Sequence, residues 1–379
     1  MTEPISTTIP ALMQKSAKLD RVAVIFDSEK VSYTFSKLNN EVEMLAAGLL
    51  STGLEAEDRV LICGSNNAHF LVSALACARS GLVFSLMNPN FSNPQQLLYA
   101  LNKGEFRAII CFPANKEAEF LNALLNEIAT ELKHSAKGHV SSKALPKLTH
   151  VITAEEDHKH AGTFTLSEVY GRSSRERIEK LPNFDGWDPH KLVALQYTTG
   201  VSARPKLVGL SHYQLVNGCR VAAQAVGLND STALCCALPL FKMPIFALVA
   251  LAPFVTGTRV IFPSPSPLPK FLFDSIKKYQ CTQLLTNAVA LRLVLKIALS
   301  QRVELPSIKT VILVGERVPG ELLNSIRKQL VNVEQTFNGY MLTEVATIPI
   351  MTNDPANMLK SVGKPLSGFT VWFEFDIQP

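Results

Sequence analysis

Hydrophobic and polar residues follow two patterns that alternate along the chain. Short apolar runs rich in Val and Ile are followed by segments in which apolar residues recur with the period of a helix. Residues 31–35 (VSYTF) show the first pattern and predict a strand. One face of the following predicted helix carries Leu38, Val42, Leu45 and Leu49. This rhythm predicts parallel sheets covered by helices on both faces, which is an α/β fold.

Turn and cap residues set the limits of several predicted helices. Asn66 is suited to cap a helix that runs through Arg79, with Gly81 just past its end. Pro94 occupies a favourable first position of another helix. Further strands are predicted at residues 59–63, 82–86, 107–112, 148–153, 191–197 and 331–337, and near Ala233, Arg259, Thr282 and Thr310.

The middle of the chain is less regular and suggests a division. Residues 134–147 are small and polar and predict a surface loop, and residues 155–188 carry many charges and predict a solvated connection. We therefore expect one α/β subdomain over residues 1–188 and a second over residues 189–379. The apolar stretch 243–258 contains two prolines and a glycine, so it predicts a buried helix and turn instead of a membrane span.

Composition narrows the functional classes. The chain has 379 residues and 37 basic against 32 acidic side chains, and this charge is dispersed, which argues against a nucleic-acid partner. The hydrophobic fraction of 47% excludes a wholly disordered chain. The seven cysteines lie in apolar runs and indicate buried free thiols. Because the first residues resemble neither a secretory signal nor a good transit peptide, the expected location is the cytoplasm.

A first candidate site is the segment 197–206 (YTTGVSARPK), which lies between two apolar stretches. Its small and hydroxylic residues can offer N–H groups and hydroxyls to phosphate oxygens, and Lys206 can balance their charge. The spacing is not that of the Walker motif, since Gly200 is the only glycine in this segment. A polar turn without any ligand accounts for the same residues, so both interpretations stay open.

Two further segments follow predicted strands. Residues 337–344 (FNGYMLTE) place Thr343 and Glu344 where an α/β enzyme would hold a metal-bound phosphate, although a helix cap and a surface acid explain them as well. Residues 311–316 (VILVGE) run into a glycine turn, with Pro319 at the next helix start, as a plain strand–helix connection also would. The order of the three loops along the chain favours a shared nucleotide site.

In this order the three loops resemble the AMP-forming acyl-CoA synthetase and adenylation-enzyme superfamily. Residues 197–206 are similar to its Y-T-S-G-T-T-G-x-P-K motif, Ser211 and His212 to the S-H that follows, and residues 340–344 to its Y-G-x-T-E motif. The resemblance extends from about residue 31 to residue 368 and is greatest to medium-chain fatty acid synthetases of the acyl-CoA synthetase family member 2 type.

The resemblance implies an AMP-forming fatty acid–CoA ligase with ATP, a medium-chain fatty acid and coenzyme A as substrates and Mg²⁺ as cofactor. Catalytic roles are implied for Lys206, Thr343 and Glu344, with Glu344 on the metal. It also implies an acyl tunnel near residues 241–246 and 287–289. The nucleotide-binding residues that it implies are Thr198, Thr199, Gly200, Ser202, Lys206, Gly315, Glu316, Arg317, Tyr340 and Thr343.

The chain departs from the family pattern in ways that leave an alternative open. Val201, Ala203, Leu207 and Met341 replace hydroxylic or glycine residues, and Lys242 stands where the family has a histidine. The sequence stops at Pro379, so we expect the large N-terminal domain of two α/β subdomains, with the small C-terminal domain missing. The alternative is a catalytically impaired acyl- or nucleotide-binding protein or a truncated isoform. A mitochondrial location is the alternative that family resemblance adds.

Overall fold

Two mixed, mostly parallel β-sheets with helices packed on them form the structure. A computed structural model describes residues 3–89, 93–112, 121, 123–158, 160–198, 205–266 and 268–371. The described strands are β1 (Val22–Phe26), β2 (Val31–Thr34), β3 (Arg59–Cys63), β4 (Val83–Met87), β5 (Ala108–Cys111), β6 (His150–Thr153), β7 (Thr163–Thr165), β8 (Leu192–Tyr197), β9 (Leu207–Ser211), β10 (Ala233–Cys236), β11 (Arg259–Phe262), β12 (Gln283–Thr286), β13 (Thr310–Val314), β14 (Gln335–Leu342), β15 (Thr347–Thr352) and β16 (Lys364–Pro365).

The helices connect these strands in the order that parallel pairing requires. The described α-helices are α1 (Ile9–Gln14), α2 (Phe35–Leu50), α3 (Ala68–Ser80), α4 (Pro94–Gly104), α5 (Leu166–Gly171), α6 (Arg175–Glu179), α7 (His212–Ala225), α8 (Met243–Thr256), α9 (Pro269–Tyr279), α10 (Ala288–Gln301), α11 (Gly320–Gln329) and α12 (Pro355–Met358). A π-helical turn (Leu124–Ile128) and two 3₁₀ turns (Thr130–His134 and Thr343–Val345) complete the helical elements of the described residues.

Strand order confirms the predicted α/β class. Among the described residues, one sheet has the order β16-β15-β14-β13-β12-β10-β11-β1-β2, and the other has the order β7-β6-β5-β3-β4-β8-β9. Antiparallel pairs occur at β1–β2, β8–β9, β14–β15 and β15–β16, and the other described pairs are parallel.

Sheet membership does not follow the chain. Strands β1 and β2 join the sheet built from residues 233–365, whereas β8 and β9 join the sheet built from residues 59–165. A cut at Asp188 would therefore separate strands from their hydrogen-bonded neighbours in both sheets. The division into residues 1–188 and 189–379 stays a prediction, and it does not coincide with the two sheets.

Helix α8 packs between the two sheets and confirms the predicted buried helix. Its residues are buried from Met243 to Pro253, and Gly257 ends it in the left-handed conformation. The ring of Phe246 lies 5.4 Å from that of Phe84 on β4, and the helix also contacts β11 and β15 in the other sheet. No helix in the described part of the chain is long and apolar enough to cross a membrane.

Three local predictions need correction. Residues 155–188 contain β7, α5 and α6, because Phe164, Leu166 and Val169 insert into the core. The strand expected at 331–337 is displaced to β14 (Gln335–Leu342), since β14 pairs with β13 and β15 and Val331 is 65% exposed. Position 339 in this strand favours glycine, because the Cβ of any other residue would lie only 2.5 Å from Ile348 Cγ2.

The third correction concerns Asn66. Asn67, one residue later, occupies the N-cap position of α3, and its side chain makes no cap hydrogen bond. Asn66 is buried instead, where its Nδ2 donates to Leu238 O at 2.9 Å and its Oδ1 accepts from Leu240 N at 2.8 Å. Asn66 therefore joins the N-terminal end of α3 to the segment that leads into α8.

The cysteine prediction is confirmed. All seven cysteines lie in the described residues, and they are buried and free of disulfides. Burial raises the pKa of Cys77, Cys111 and Cys219. These thiols therefore stay protonated and act as small core side chains.

Asn66→Ala should destabilise the protein much more than Asn67→Ala. The first change leaves a buried carbonyl and a buried N–H without partners and should lower the free energy of unfolding by about 2 to 4 kcal/mol. The second removes no cap hydrogen bond and should cost about 0.5 kcal/mol or less. Urea titration followed by circular dichroism measures both values, and equal losses in the two variants would contradict the bridging role.

Candidate functional site

The carboxyl ends of three neighbouring parallel strands form one edge of the larger sheet. Thr286 of β12 pairs with Leu313 of β13, and Val314 of β13 pairs with Gly339 of β14. The residues that follow these pairs, among them Asn287, therefore emerge side by side. In open α/β sheets, ligands bind in the crevice outside these carboxyl ends.

Residues 315–317 follow β13 at this edge. Gly315 has a φ of +95°, a conformation that other residues rarely adopt. Glu316 Oε1 accepts a hydrogen bond from Val289 N at 3.2 Å, which places a carboxylate at the favourable N-terminal end of α10. Arg317 Nη2 donates to Leu359 O at 2.5 Å. The predicted adenine loop is thus fixed on both sides.

The two segments predicted for the acyl group have different surroundings. Asn287 Oδ1 caps α10 by accepting from Ala290 N at 2.8 Å, and Val289 is 58% exposed beside Glu316. In contrast, Met243, Ile245 and Phe246 are fully buried in the core. The residues 287–289 therefore adjoin the adenine loop, and the acyl role of both segments stays a prediction.

Tyr340 and Asn338 lie on one face of β14, because side chains two residues apart in a strand share a face. Tyr340 is 47% exposed, whereas Asn338 is only 2% exposed. Asn338 Oδ1 has no hydrogen-bond partner among the described residues. A buried amide oxygen without a partner is costly, so it indicates a donor supplied by a ligand or water. Asn338 is not among the site residues predicted from the sequence; a polar amide two residues before Tyr340 was the available signal.

Met341 lies where the family motif has glycine. It is partly buried against the main core, and its Cε is 3.8 Å from the position that a Cβ on Gly315 would take. The long side chain thus reaches the glycine turn that ends β13. It narrows the space between the two loops that are expected to enclose the nucleotide.

Thr343 and Glu344 form a 3₁₀ turn with Val345 directly after β14. The turn contacts β9, α7 and α8. Glu344 is exposed and makes no hydrogen bond or ion pair with the described residues. Within the same ranges, no group of three His, Cys, Asp or Glu residues could hold a metal by itself. One carboxylate fits Mg²⁺ that is otherwise held by substrate phosphates and water.

The predicted phosphate loop lies in the sequence between β8 and β9, which pair as an antiparallel hairpin. At its base, Thr198 N donates to Lys206 O at 2.9 Å, with Thr198 buried and Lys206 exposed. Tyr197 is fixed by a hydrogen bond of 2.5 Å from its hydroxyl to Ala100 O, and Leu207 pairs with it in the ladder. The remaining predicted residues of the loop, Thr199, Gly200 and Ser202, lie outside the described residues, as do Val201 and Ala203.

The site residues that the structure describes are thus brought into two neighbouring groups. One group lies at the ends of β13 and β14 and contains Gly315, Glu316, Arg317 and Tyr340. The other group joins the turn that holds Thr343 and Glu344 to β9, the strand that follows Lys206. Since Tyr340 and Thr343 lie on one continuous segment, the two groups adjoin.

Ser211 and His212 have structural contacts. Ser211 caps α7 in a reciprocal pair with Gln214. His212 is buried, and its Nδ1 accepts from Ile9 N at 3.2 Å. Burial, together with the charge of Lys191, lowers the pKa of His212 to about 4. The imidazole therefore stays neutral and holds the N-terminal segment against α7.

A cavity of about 420 Å³ lies on the outer side of α7, next to the Thr343–Val345 turn. None of the predicted nucleotide or acyl residues that the structure describes lines it. Its walls are formed by Glu3, Pro4, Tyr213, Gln214, Asn217, Gly218, Arg220, Val221, Gln224, Val345, Ser367, Gly368 and Phe369.

Comparison with known proteins decides the family. Residues 13–372 match the sequence profile described as AMP-binding enzyme, which covers nearly the whole chain. The chain belongs to the AMP-binding enzyme family. The resemblance noted in the motifs is thereby confirmed over almost the full sequence.

The relatives of this chain include proteins named acyl-CoA ligases. The chain is 26% identical over 350 residues to medium-chain acyl-CoA ligase ACSF2, mitochondrial, of Danio rerio, covering 89% of this chain and 56% of that protein. It is 31% identical over 231 residues to the Homo sapiens protein of the same name, covering 60% and 37%. The matched part of the chain thus spans about half or less of the length of these curated relatives.

Solved structures show the same fold. The long-chain-fatty-acid-CoA ligase FadD1 from Archaeoglobus fulgidus matches with a TM-score of 0.77 and 18% identity, covering 97% of this chain and 70% of that one. The anthranilate CoA ligase AuaEII, in complex with anthranoyl-AMP, matches with a TM-score of 0.79 and 17% identity, covering 97% and 66%. At these identities the similarity shows only that the chain has the same fold as these proteins.

Acid should destabilise the protein partly through His212. Its folded pKa of about 4 lies below the ordinary value of 6.5, so the unfolded chain binds more protons between these values and stability falls as pH falls. Between about pH 7 and pH 5, His212→Asn should lose about 2 kcal/mol less free energy of unfolding than the wild type. Denaturant titrations at both pH values measure the difference. The exposed His134, changed to Asn, is the control; equal pH dependence of His212→Asn and wild type would refute this assignment.

Proposed function

We propose that these residues form the nucleotide-binding part of an AMP-forming acyl-CoA ligase that adenylates a medium-chain fatty acid. The observation that carries the proposal is that the 315–317 loop follows β13 beside β14, and that the Thr343–Val345 turn, which follows β14, contacts β9 of the β8–β9 hairpin. Membership of the AMP-binding enzyme family supports the same conclusion.

The charges near this edge suit a bound triphosphate. Lys206 supplies an exposed cation at the base of the hairpin loop, where Thr198 is held by backbone pairing. Glu344 supplies a carboxylate on the adjoining turn. When Mg²⁺ is bound, it neutralises part of the triphosphate charge. The roles of Thr199, Gly200 and Ser202 in phosphate binding belong to this proposal.

The adenine base is proposed to lie against Tyr340, between β14 and the loop of Gly315, Glu316 and Arg317. The exposed ring of Tyr340 offers a stacking surface. Asn338 Oδ1, which lacks a partner among the described residues, can accept a hydrogen bond from the exocyclic amino group of adenine. A base without that donor would leave the buried oxygen unpaired and should bind more weakly, so the site should select adenine.

The proposed reaction has two steps, an adenylyl transfer to the fatty acid and an acyl transfer to coenzyme A. A carboxylate oxygen of the fatty acid attacks the α-phosphorus of ATP, the bond from that phosphorus to the bridging oxygen breaks, and pyrophosphate leaves. The thiolate of coenzyme A then attacks the acyl carbon and releases AMP. Lys206 and Thr343 would stabilise charge at the α-phosphate in the first step. We assign adenylation to these residues and the coenzyme A step to the protein as a whole.

The medium-chain preference and the location rest on the relatives. The Danio rerio and Homo sapiens proteins are named medium-chain acyl-CoA ligases and mitochondrial. These names support a fatty acid of intermediate length as the substrate. They also support the mitochondrial alternative over the expected cytoplasmic location.

Met341 favours a second candidate function, a binding protein with impaired catalysis. Its side chain reaches the Gly315 turn. The family motif has glycine in place of Met341, which leaves more room beside that turn. In this case the protein would bind an acyl chain or a nucleotide and be stabilised by it without forming product.

ATP–pyrophosphate exchange tests the adenylation step. Wild-type protein with decanoate and MgATP should incorporate labelled pyrophosphate into ATP. Lys206→Ala should reduce the rate about 100-fold, because it removes a cation from the developing charge. Lys147→Ala removes an exposed lysine from the loop before β6 and should exchange at the wild-type rate.

The outcomes separate the two candidates. No exchange at high protein concentration, together with a rise in melting temperature on adding MgATP, would favour the binding protein. Equal exchange in Lys206→Ala and wild type would remove Lys206 from the nucleotide site. Absence of both exchange and stabilisation would contradict each candidate.

A further inference from the structure

The turn that carries Thr343 and Glu344 is attached to helix α7 just beyond its end. Thr347, the first residue of β15, is buried, and its Oγ1 donates to Gly218 O on α7 at 2.7 Å. This hydrogen bond joins β15 to a helix that is far away in the sequence. The turn thus has one fixed point two residues after Val345.

Gly218 allows this approach because it has no side chain. A Cβ at this position would lie 3.1 Å from Ala346 O and 3.1 Å from Thr347 Cβ. Both distances are shorter than ordinary van der Waals contact, and Ala346 O is a backbone atom that cannot rotate away. Any larger residue at 218 would therefore push the turn and the helix apart.

Ala346 shows that the segment is held in a conformation that it would not adopt alone. Its φ is +50°, in the left-handed region, and its N–H donates to Thr343 O at 3.0 Å. For a residue with a Cβ this conformation costs about 1 kcal/mol or more, and it persists where surrounding contacts determine it. The hydrogen bond between Thr347, the next residue, and Gly218 provides that constraint.

Helix α7 links this attachment to the phosphate hairpin. The helix begins immediately after β9, and Ser211 and Gln214 cap it reciprocally. The Thr343–Val345 turn contacts both β9 and α7. The position of Glu344 relative to the base of the hairpin is therefore set by the contacts of the turn with β9 and by its attachment to α7 at Gly218.

We propose that Thr347 and Gly218 are positioning residues, which hold Glu344 where it can bind the Mg²⁺ of the nucleotide. This inference rests on the proposed function, since it gives Glu344 the metal role. Neither residue touches the substrates in this account. Their effect is expected in the affinity for Mg²⁺, because residues that orient a metal ligand typically change metal affinity 10- to 100-fold.

The test compares Thr347→Val with Thr347→Ser. Valine keeps the shape but removes the hydroxyl, and serine keeps the hydroxyl. The readout is the Mg²⁺ concentration that gives half of the ATP-dependent rise in melting temperature. Thr347→Val should raise this Mg²⁺ concentration about tenfold or more, and Thr347→Ser should keep it at the wild-type value. Stabilisation by ATP in EDTA should be the same in all three proteins.

A second pair covers the case in which Thr347→Val does not fold. Gly218→Ala should raise the same Mg²⁺ concentration, because the new Cβ displaces Ala346 and Thr347. Gly171→Ala is the matched control, since a Cβ at Gly171 meets no atom within 4 Å. It should leave the Mg²⁺ response unchanged.

The result also distinguishes this inference from the proposed function. If wild-type protein shows no Mg²⁺-dependent stabilisation with ATP, the metal role of Glu344 fails and the inference fails with it. If the wild type responds to Mg²⁺ and Thr347→Val and Gly218→Ala need the same Mg²⁺ concentration as the wild type, the positioning role is refuted while the proposed function stands.

Discussion

Parallel pairing of β12, β13 and β14 is the constraint on which the candidate site depends. Because these strands run in one direction, Asn287, Gly315 and Tyr340 reach the same edge of the sheet although up to about fifty residues separate them along the chain. A hydrogen bond from Val289 to Glu316 ties two of these connections together. Without this register, the loop 315–317 proposed to bind adenine and the segment 287–289 would not adjoin.

The second part of the site depends on packing between the sheets. Helix α8 is buried against both, and Asn66 fixes the segment leading into it. Helix α7 follows the phosphate hairpin directly, and Gly218 and Thr347 bring the Thr343–Val345 turn against it. The residues proposed to bind phosphate and metal are therefore both supported by α7, whereas the residues proposed to bind adenine are supported by the strands.

Local pattern was enough to predict much of this arrangement. The strand at 59–63 and the buried helix at 243–256 follow from apolar runs bounded by turn residues. The partners of β1 and β2 could not be predicted, because periodicity does not encode which distant strand pairs. Gly339 inside β14 depends on its neighbour Ile348, and the oxygen of Asn338 without a partner among the described residues depends on its burial, and only the folded chain reveals either.

The central claim is that an adenine nucleotide binds at the carboxyl ends of β13 and β14. Photolabelling with 8-azidoadenosine triphosphate and Mg²⁺, followed by peptide mapping, tests it most directly. We expect the label to attach to the peptides containing Gly315 or Tyr340 and excess ATP to abolish the labelling. Labelling elsewhere, such as at the Arg220 side of α7, or labelling that ATP does not reduce, would show that the nucleotide does not bind at this edge.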